Sequence, residues 1–325
     1  VAVYLVTGGA GFIGSNIVEE LARRGGKVRV LDDLSNGLKA NLTPFGDGVE
    51  FVEGDVRDAG LVRRAMDGVT RCLHLAALGS VPRSVKDPLA SNEVNVTGTL
   101  NVLLAARDCG VERVVYSSSS SVYGDNPALP KREDLAARPL SPYAASKLAG
   151  ENYTRAFNRV YGLETVSLRY FNVFGPRQRP DSPYAAVIPL FMRWARRGEP
   201  LVVHGDGKQS RDFTYVDNVV AANLLAAEVE AEGLAGGVFN VACGGGYSLL
   251  DLIESLESVS GGGLEISHVE ARAGDVRHSR ADIGLAREIF GYEVAVDFEA
   301  GLERTWKAFL EAAADAPDRG GKSVD

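Results

Sequence analysis

Apolar runs of strand length alternate with helix-period segments from the first residues onward. "VAVYLVT" precedes a helical pattern over 12–24, and "KVRVLD" follows. "VEFVEGD" leads into 58–67, "RCLHLAA" into 92–108, "RVVYSSS" into 142–161, and "LETVSLRY" closes the series. Near-continuous apolar strands separated by amphipathic helices predict a parallel sheet covered on both faces. After Tyr170 the rhythm gives way to Pro- and Gly-rich connections, with helices expected near 186–197, 216–230, 248–258, 282–290 and 298–314. The expected class is therefore α/β, a doubly wound parallel sheet with a smaller α/β lobe. The division falls at 1–170 and 171–325, with 213–241 expected to return to the first part.

The glycines decide what the sheet carries. In "VYLVTGGAGFIGS", Gly8, Gly11 and Gly14 follow a strand and open a helix. Glycine there lets the backbone approach a pyrophosphate, and the helix N-terminus offers unpaired N–H groups. The sheet is then Rossmann-type. The second strand ends at Asp32, eighteen residues beyond Gly14. A carboxylate at that place accepts the ribose hydroxyls of NAD and repels the additional phosphate of NADP; a turn or capping aspartate is the plainer alternative. "GDVRD" offers Asp55 and Val56 to an adenine edge, although such turns are common, and Asn95 could equally be an ordinary helix residue.

"SPYAASK" supplies chemistry. Ser141 suits an N-cap and Pro142 the first helical position, so Tyr143 and Lys147 stand four apart on one helix face. A free phenol titrates near pH ~10, too high for a base at neutral pH. A neighbouring ammonium and an oxidised nicotinamide both favour phenolate, so Tyr143 could exchange a proton with a substrate hydroxyl while hydride moves. Five serines, 117–121, end the preceding strand. Ser119 is the natural third member of the group, and the other serines are expected to satisfy backbone groups at the strand end.

Composition narrows the rest. The chain has 325 residues, 45% hydrophobic, and a net charge of −8, which provides no basic field for nucleic acid. Neither a membrane span nor a signal peptide is visible, which points to a cytoplasmic protein. Cys72, Cys109 and Cys243 read as reduced thiols, and the four histidines show no ligand spacing, so no metal is expected.

Gly8/Gly11/Gly14, Asp32, "HLAA", Ser119 before "VYG" and Tyr143/Lys147 together resemble the extended short-chain dehydrogenase/reductase superfamily, in its nucleotide-sugar epimerase and dehydratase branch. The likeness spans 1–314. "HLAALGSVPRSVKDP", "RYFNVFGPRQRPDSPYAAVIP", "SRDFTYVDN" and "GDVRHSRAD" are most similar to the UDP-N-acetylglucosamine 4-epimerase group and, more loosely, to UDP-glucose 4-epimerases. The resemblance implies an NAD-binding part over 1–170 and a UDP-sugar-binding lobe over most of 171–325. It implies further cofactor contacts from Phe12, Ile13, Asp33, Ser35, Asn36, Gly37, Leu75, Ala76, Ala77, Asn95, Ser117, Tyr170 and Val173. Sugar contacts are implied for Ser80, Ser119, Tyr143, Asn172 and Gln178, diphosphate contacts for Arg211 and Arg272, and a uridine-ribose contact for Asp275. It also implies a homodimer pairing the helices around 92–108 and 142–161.

Related dehydratases place an Asp-Glu pair directly after the hydroxyl residue, and related decarboxylases a glutamate; here Ser120 and Ser121 stand there. The implied reaction is thus epimerisation through a transient 4-keto sugar and enzyme-bound NADH. UDP-glucuronate 4-epimerase is the alternative enzyme, and a non-catalytic NAD-sensing regulator the alternative class. The resemblance also implies that Ser279 lines the sugar pocket, where its small volume would admit an acetamido group at C2, unless it merely caps the helix near 282.

Overall fold

The computed structural model describes residues 2–181, 185–271 and 277–314. The first half alternates β1 (Val3–Thr7), α1 (Phe12–Arg23), β2 (Lys27–Asp32), β3 (Val49–Glu53), α2 (Ala59–Met66) and β4 (Arg71–His74). Two short helices follow, α3 (Val81–Lys86) and α4 (Pro88–Asn92), then a π turn over Glu93–Thr97 that runs into α5 (Gly98–Asp108). The expected single helix over 92–108 is thus broken by a one-turn bulge. β5 (Arg113–Ser119), α6 (Pro142–Tyr161) and β6 (Glu164–Tyr170) complete the series.

Beyond β6 the chain forms β7 (Val173–Phe174), α7 (Val187–Arg197), β8 (Leu201–His204), β9 (Ser210–Arg211), β10 (Thr214–Tyr215), α8 (Val216–Glu228) and β11 (Val238–Val241). β12 (Tyr247–Ser248), α9 (Leu249–Ser260), β13 (Ile266–Val269), α10 (Gly284–Phe290) and α11 (Phe298–Ala314) end the described chain.

Seven strands form one parallel sheet in the order β11-β6-β5-β4-β1-β2-β3. β1, β4 and β5 are apolar throughout their centres because both faces are covered. Ile17, Val18 and Leu21 of α1 pack with Val219 and Val220 of α8 in one core cluster, while Val62 and Met66 of α2, Val102 of α5 and Phe157 of α6 lie in another. β11 adds in parallel beside β6, aligning Val238 with Ser167 and Val241 with Tyr170.

The order reverses direction at β1 and β4, so the loops after these strands diverge and leave a crevice at their carboxyl ends, where ligands of doubly wound sheets bind. The remaining short strands pair two by two, β7 with β10, β8 with β13 and β9 with β12. Rings of Phe174, Phe213, Tyr215 and Phe298 interlock between them. No helix among the described residues is long and apolar enough to cross a membrane.

Candidate active site

The crevice holds a cleft of about 600 Å³. Its floor is the turn after β1. Gly8 has φ +70°, and a Cβ there would meet the Ala76 nitrogen at 2.8 Å; one on Gly14 would lie 2.2 Å from the Gly8 carbonyl oxygen. The backbone therefore comes as close as a side chain would otherwise prevent. α1 starts from Gly11 with no side-chain cap, so its first-turn N–H groups face the cleft with the positive end of the helix dipole. This glycine-lined cradle fits a dinucleotide pyrophosphate.

At the end of β2, Asp32 is buried and accepts hydrogen bonds from the Ala10 N–H at 3.0 Å and the Leu34 N–H at 2.8 Å. Burial raises its pKa and those two bonds oppose the rise. Its remaining lone pairs suit ribose hydroxyls. Phe12, Ile13, Asp33, Ser35, Asn36, Gly37, Asp55, Val56, Leu75, Ala76, Ala77 and Ser117 also line the cleft. Asp55 is engaged by Arg57 at 2.6 Å, and the Val56 side chain packs against Gly98, where a Cβ would meet it at 2.6 Å. Asn95 and Tyr170 lie behind this lining. Asn95 accepts from the Leu78 N–H at 2.7 Å and donates to Ser146 at 3.0 Å; the Tyr170 hydroxyl donates to Asn223 at 2.9 Å. Val173 is half-buried in β7.

The strand end of β5 meets the first turns of α6. Ser141 caps this helix by accepting from the Ala144 N–H at 3.1 Å, which sets Tyr143 and Lys147 on the face turned to β5. Four of the five serines then have identifiable contacts. The Ser117 carbonyl accepts from Lys147 Nζ at 2.7 Å. Ser118 donates to Glu151 at 2.5 Å, a side-chain partner and not the backbone group expected from the sequence. The Ser119 hydroxyl oxygen accepts from the Ser121 N–H at 3.2 Å and the Ser121 hydroxyl at 2.9 Å. With its oxygen so occupied, Ser119 has its own hydrogen left to donate, and its hydroxyl lies close enough to the Tyr143 phenol to favour the phenolate.

The electrostatics qualify the reading from spacing alone. Burial raises the Tyr143 pKa, and the neighbouring Ser119 hydroxyl opposes the rise. Lys147 is itself pushed down to about 8 by burial, with the charge of Glu151 acting the other way, and its Nζ sits 6.0 Å from the Tyr143 ring centre. Lysine alone does not make the phenol a base. A phenolate here would have to draw on Ser119, on Lys147 and on any cation bound beside them in the cleft. His74, the histidine nearest this point in sequence, is bonded to Thr7 at 2.7 Å and Thr99 at 2.9 Å, and burial drives its pKa to about 3.

On the opposite wall, Ser80 caps α3 by accepting from the Arg83 N–H at 3.2 Å and lines the cleft with Gln178. Gln178 donates to the Val173 carbonyl at 3.1 Å, while its own buried carbonyl oxygen has no protein partner. Asn172 holds φ +33° and donates to the Asp212 carbonyl at 3.3 Å. Arg211 lies on β9 with its guanidinium on the Ser210 and Arg277 carbonyls. The Ser279 N–H donates to the Ser210 carbonyl at 3.1 Å, so the segment beyond 277 runs along β9. α10 begins at Gly284 with Ile283 at its N-cap, which removes the capping role considered for Ser279. Arg272 and Asp275 lie outside the described residues.

Two groups escaped sequence reasoning. Glu151 repeats the four-residue step that separates Tyr143 from Lys147, a spacing that could have flagged it. Asp212, fully buried, accepts from the Cys243 and Ala281 N–H groups, both at 3.0 Å. Burial lifts its pKa to about 6. No local pattern announces it, because its partners are distant backbone.

Residues 4–242 match the model of the NAD dependent epimerase/dehydratase family. The UDP-glucose 4-epimerase of Mycolicibacterium smegmatis is 41% identical over 311 residues, covering 94% of this chain and 97% of that protein. The UDP-glucuronate 4-epimerase of Thermodesulfobacterium geofontis is 34% identical over 316 residues, covering 93% and 94%. Among solved structures, the UDP-N-acetylglucosamine 4-epimerase from Methanobrevibacter ruminantium, in complex with UDP-N-acetylmuramic acid, superimposes with a TM-score of 0.91 at 40% identity, covering 96% of this chain and 99% of that one. The chain belongs to the NAD-dependent epimerase/dehydratase family.

Proposed function

We propose that this member of the NAD-dependent epimerase/dehydratase family is a UDP-hexose 4-epimerase. It interconverts UDP-N-acetylglucosamine with UDP-N-acetylgalactosamine, and UDP-glucose with UDP-galactose. The observation that carries the reading is the Ser119–Tyr143–Lys147 cluster at the strand end, directly followed by the neutral Ser120 and Ser121. A proton can be exchanged with a sugar hydroxyl there, but no acidic side chain follows Ser119 to drive loss of water or of carbon dioxide.

The chemistry that NAD supplies when bound is the reversible removal of hydride from sugar C4. Tyr143 takes the proton of the C4 hydroxyl and returns it, with Ser119 holding the same oxygen. Lys147, fixed by the Ser117 carbonyl, presents an ammonium beside them. The residues after 171, apart from α8 and β11, form the UDP-sugar side. Arg211, Arg272 and Asp275 hold the UDP, and guanidinium groups suit the diphosphate. Anchored there, the 4-keto sugar turns over about its diphosphate link and is reduced on its other face. Ser279 leaves volume for an acetamido group.

A second reading, UDP-glucuronate 4-epimerase, is favoured by the serine-rich strand end, since hydroxyl donors suit a sugar carboxylate. The same proposal includes a homodimer, for which the exposed Val85, Leu89 and Val160 on α3, α4 and α6 offer apolar surface. Incubating the purified protein separately with UDP-glucose, UDP-N-acetylglucosamine and UDP-glucuronate and resolving the C4 epimers decides among the substrates. Conversion of none of them refutes the function, and conversion of glucuronate alone selects the second reading. The mass of the particle in sedimentation tests the dimer.

A further inference from the structure

Beneath the Tyr143–Lys147 pair lies an ion pair that takes no part in the chemistry proposed above. Glu151 is fully buried, and so, at 3% exposure, is Arg169 of β6. The guanidinium grips both carboxylate oxygens, at 2.8 and 2.7 Å, and Ser118 adds its bond of 2.5 Å. Ser118 sits between Ser117, whose carbonyl holds Lys147, and Ser119, which neighbours Tyr143. We infer that Glu151 is a positioning residue for the Tyr143–Lys147 pair: it pins this face of α6 to the strand end of β5, and with Arg169 it sets the local charge the pair meets.

A salt bridge removed from water adds little net stability compared with apolar residues of similar volume, so stability alone gives a poor reason for burying one here. The titratable groups around the salt bridge are for the most part neutral. From β4, His74 faces Lys147 as a neutral imidazole. From β5 comes Tyr116, whose pKa burial raises well above its ordinary value, and from β6 Tyr170, pushed up to about 12. Tyr123, in the turn after β5, stacks on the Arg169 guanidinium at 4.6 Å and is also pushed up to about 12. Glu133, whose pKa burial raises, acts on Arg169 from the loop before α6. Glu151 and Arg169 are thus fixed charges of opposite sign beside the pair, and Glu151 supports the Lys147 ammonium against burial.

The consequence has a sign. Replacing Glu151 by Gln leaves the Arg169 cation uncompensated, which disfavours the Lys147 ammonium and favours the Tyr143 phenolate. Both limbs of the profile of kcat against pH then move to lower pH, by up to about one unit. Arg169→Gln leaves the carboxylate uncompensated and moves both limbs to higher pH. Ser118→Ala keeps both charges, so the profile stays in place while kcat falls several-fold and KM holds.

The inference rests on Tyr143 and Lys147 being the catalytic pair, so Tyr143→Phe is assayed alongside. Undiminished turnover in that variant overturns the pair and this inference together. If Tyr143→Phe is inactive but folded Glu151→Gln and Arg169→Gln keep the wild-type profile, or shift it in the same direction, the positioning role alone is wrong. Should both charge variants fail to fold, Ser118→Ala decides, and unchanged kcat there overturns the inference.

Discussion

Gly150 sits inside α6, one turn beyond the Tyr143–Lys147 pair, at a place where an alanine should by helix propensity stabilise by up to ~1 kcal/mol. The packing reverses that expectation. A Cβ at 150 would lie 2.1 Å from the Tyr116 hydroxyl oxygen and 2.3 Å from the ring carbon that bears it, more than 1 Å inside ordinary contact. Tyr116 has little room to yield, because it is 1% exposed, its hydroxyl reaches the Lys147 carbonyl at 3.4 Å, and His74 packs against its ring at 5.8 Å. Overpacking a filled core costs ~1–3 kcal/mol or more. Evicting the ring would approach the ~3–5 kcal/mol of a large aromatic truncation. Net of the propensity gain, Gly150→Ala should lose about 3 kcal/mol, about 4 °C in Tm for a chain of this length. Because the displaced ring bears on the Lys147 turn, kcat should fall with it. Gly162→Ala is the control: φ is +69° with open space around it, so it should lose ~1–2 kcal/mol from backbone strain and leave kcat unchanged. Thermal melts and initial rates test both. An unchanged Tm and kcat in Gly150→Ala, or equal kcat in the two variants, would refute the reasoning.

Tyr143→Phe should lower kcat by about 10²–10⁴-fold with the fold intact, as expected when a general acid–base group is lost; circular dichroism and single-turnover rates check it. Nucleotide released from the denatured protein should be NAD, and recovery of mainly NADP would contradict the role given to Asp32. Ser279→Tyr should slow the acetylated substrates about tenfold or more and spare UDP-glucose; equal loss of both activities, or no loss, would place Ser279 elsewhere. Asp212 has a folded pKa of about 6, above its ordinary value of 3.8, so its contribution to stability is complete below that ordinary value and is lost as pH rises through about 6. In urea melts the advantage of the parent over Asp212→Asn should therefore shrink by ~2–3 kcal/mol between pH 4 and 6.

The sheet was legible because strands covered on both faces must be apolar along their whole length, and the Gly8–Gly14 turn and the Ser141-capped start of α6 are local signals. The short strands β7, β9, β10 and β12 were not legible, since two residues carry no period. The bulge before α5 was hidden for a related reason: one additional residue in a turn barely disturbs the apolar rhythm. Within the site, the step from Tyr143 to Lys147 is fixed by helix geometry. The partners of Ser118 and Asp212 depend on how distant segments meet. Ser118 reaches a carboxylate 33 positions away, and Asp212 collects backbone N–H groups from around 243 and from 281. The two roles open to Ser279 in the sequence separated only once the helix start was located at Gly284.

The late arrival of β11 gives the order of synthesis a part in folding. β6 ends at Tyr170 and its neighbour begins at Val238, 68 residues on. At about 5–20 residues per second, a ribosome needs about 3–14 s to make that stretch. Throughout that interval the nascent chain can assemble the strands from β3 to β6 but holds one flank of β6 unpaired, with Val166 and Leu168 beside it. An open strand edge of this kind recruits other chains. The fraction of polypeptide that reaches the folded state should therefore depend on the speed of translation between 170 and 238, and a chain stopped before 238 should aggregate although it contains every residue of the glycine cradle and the Tyr143–Lys147 pair.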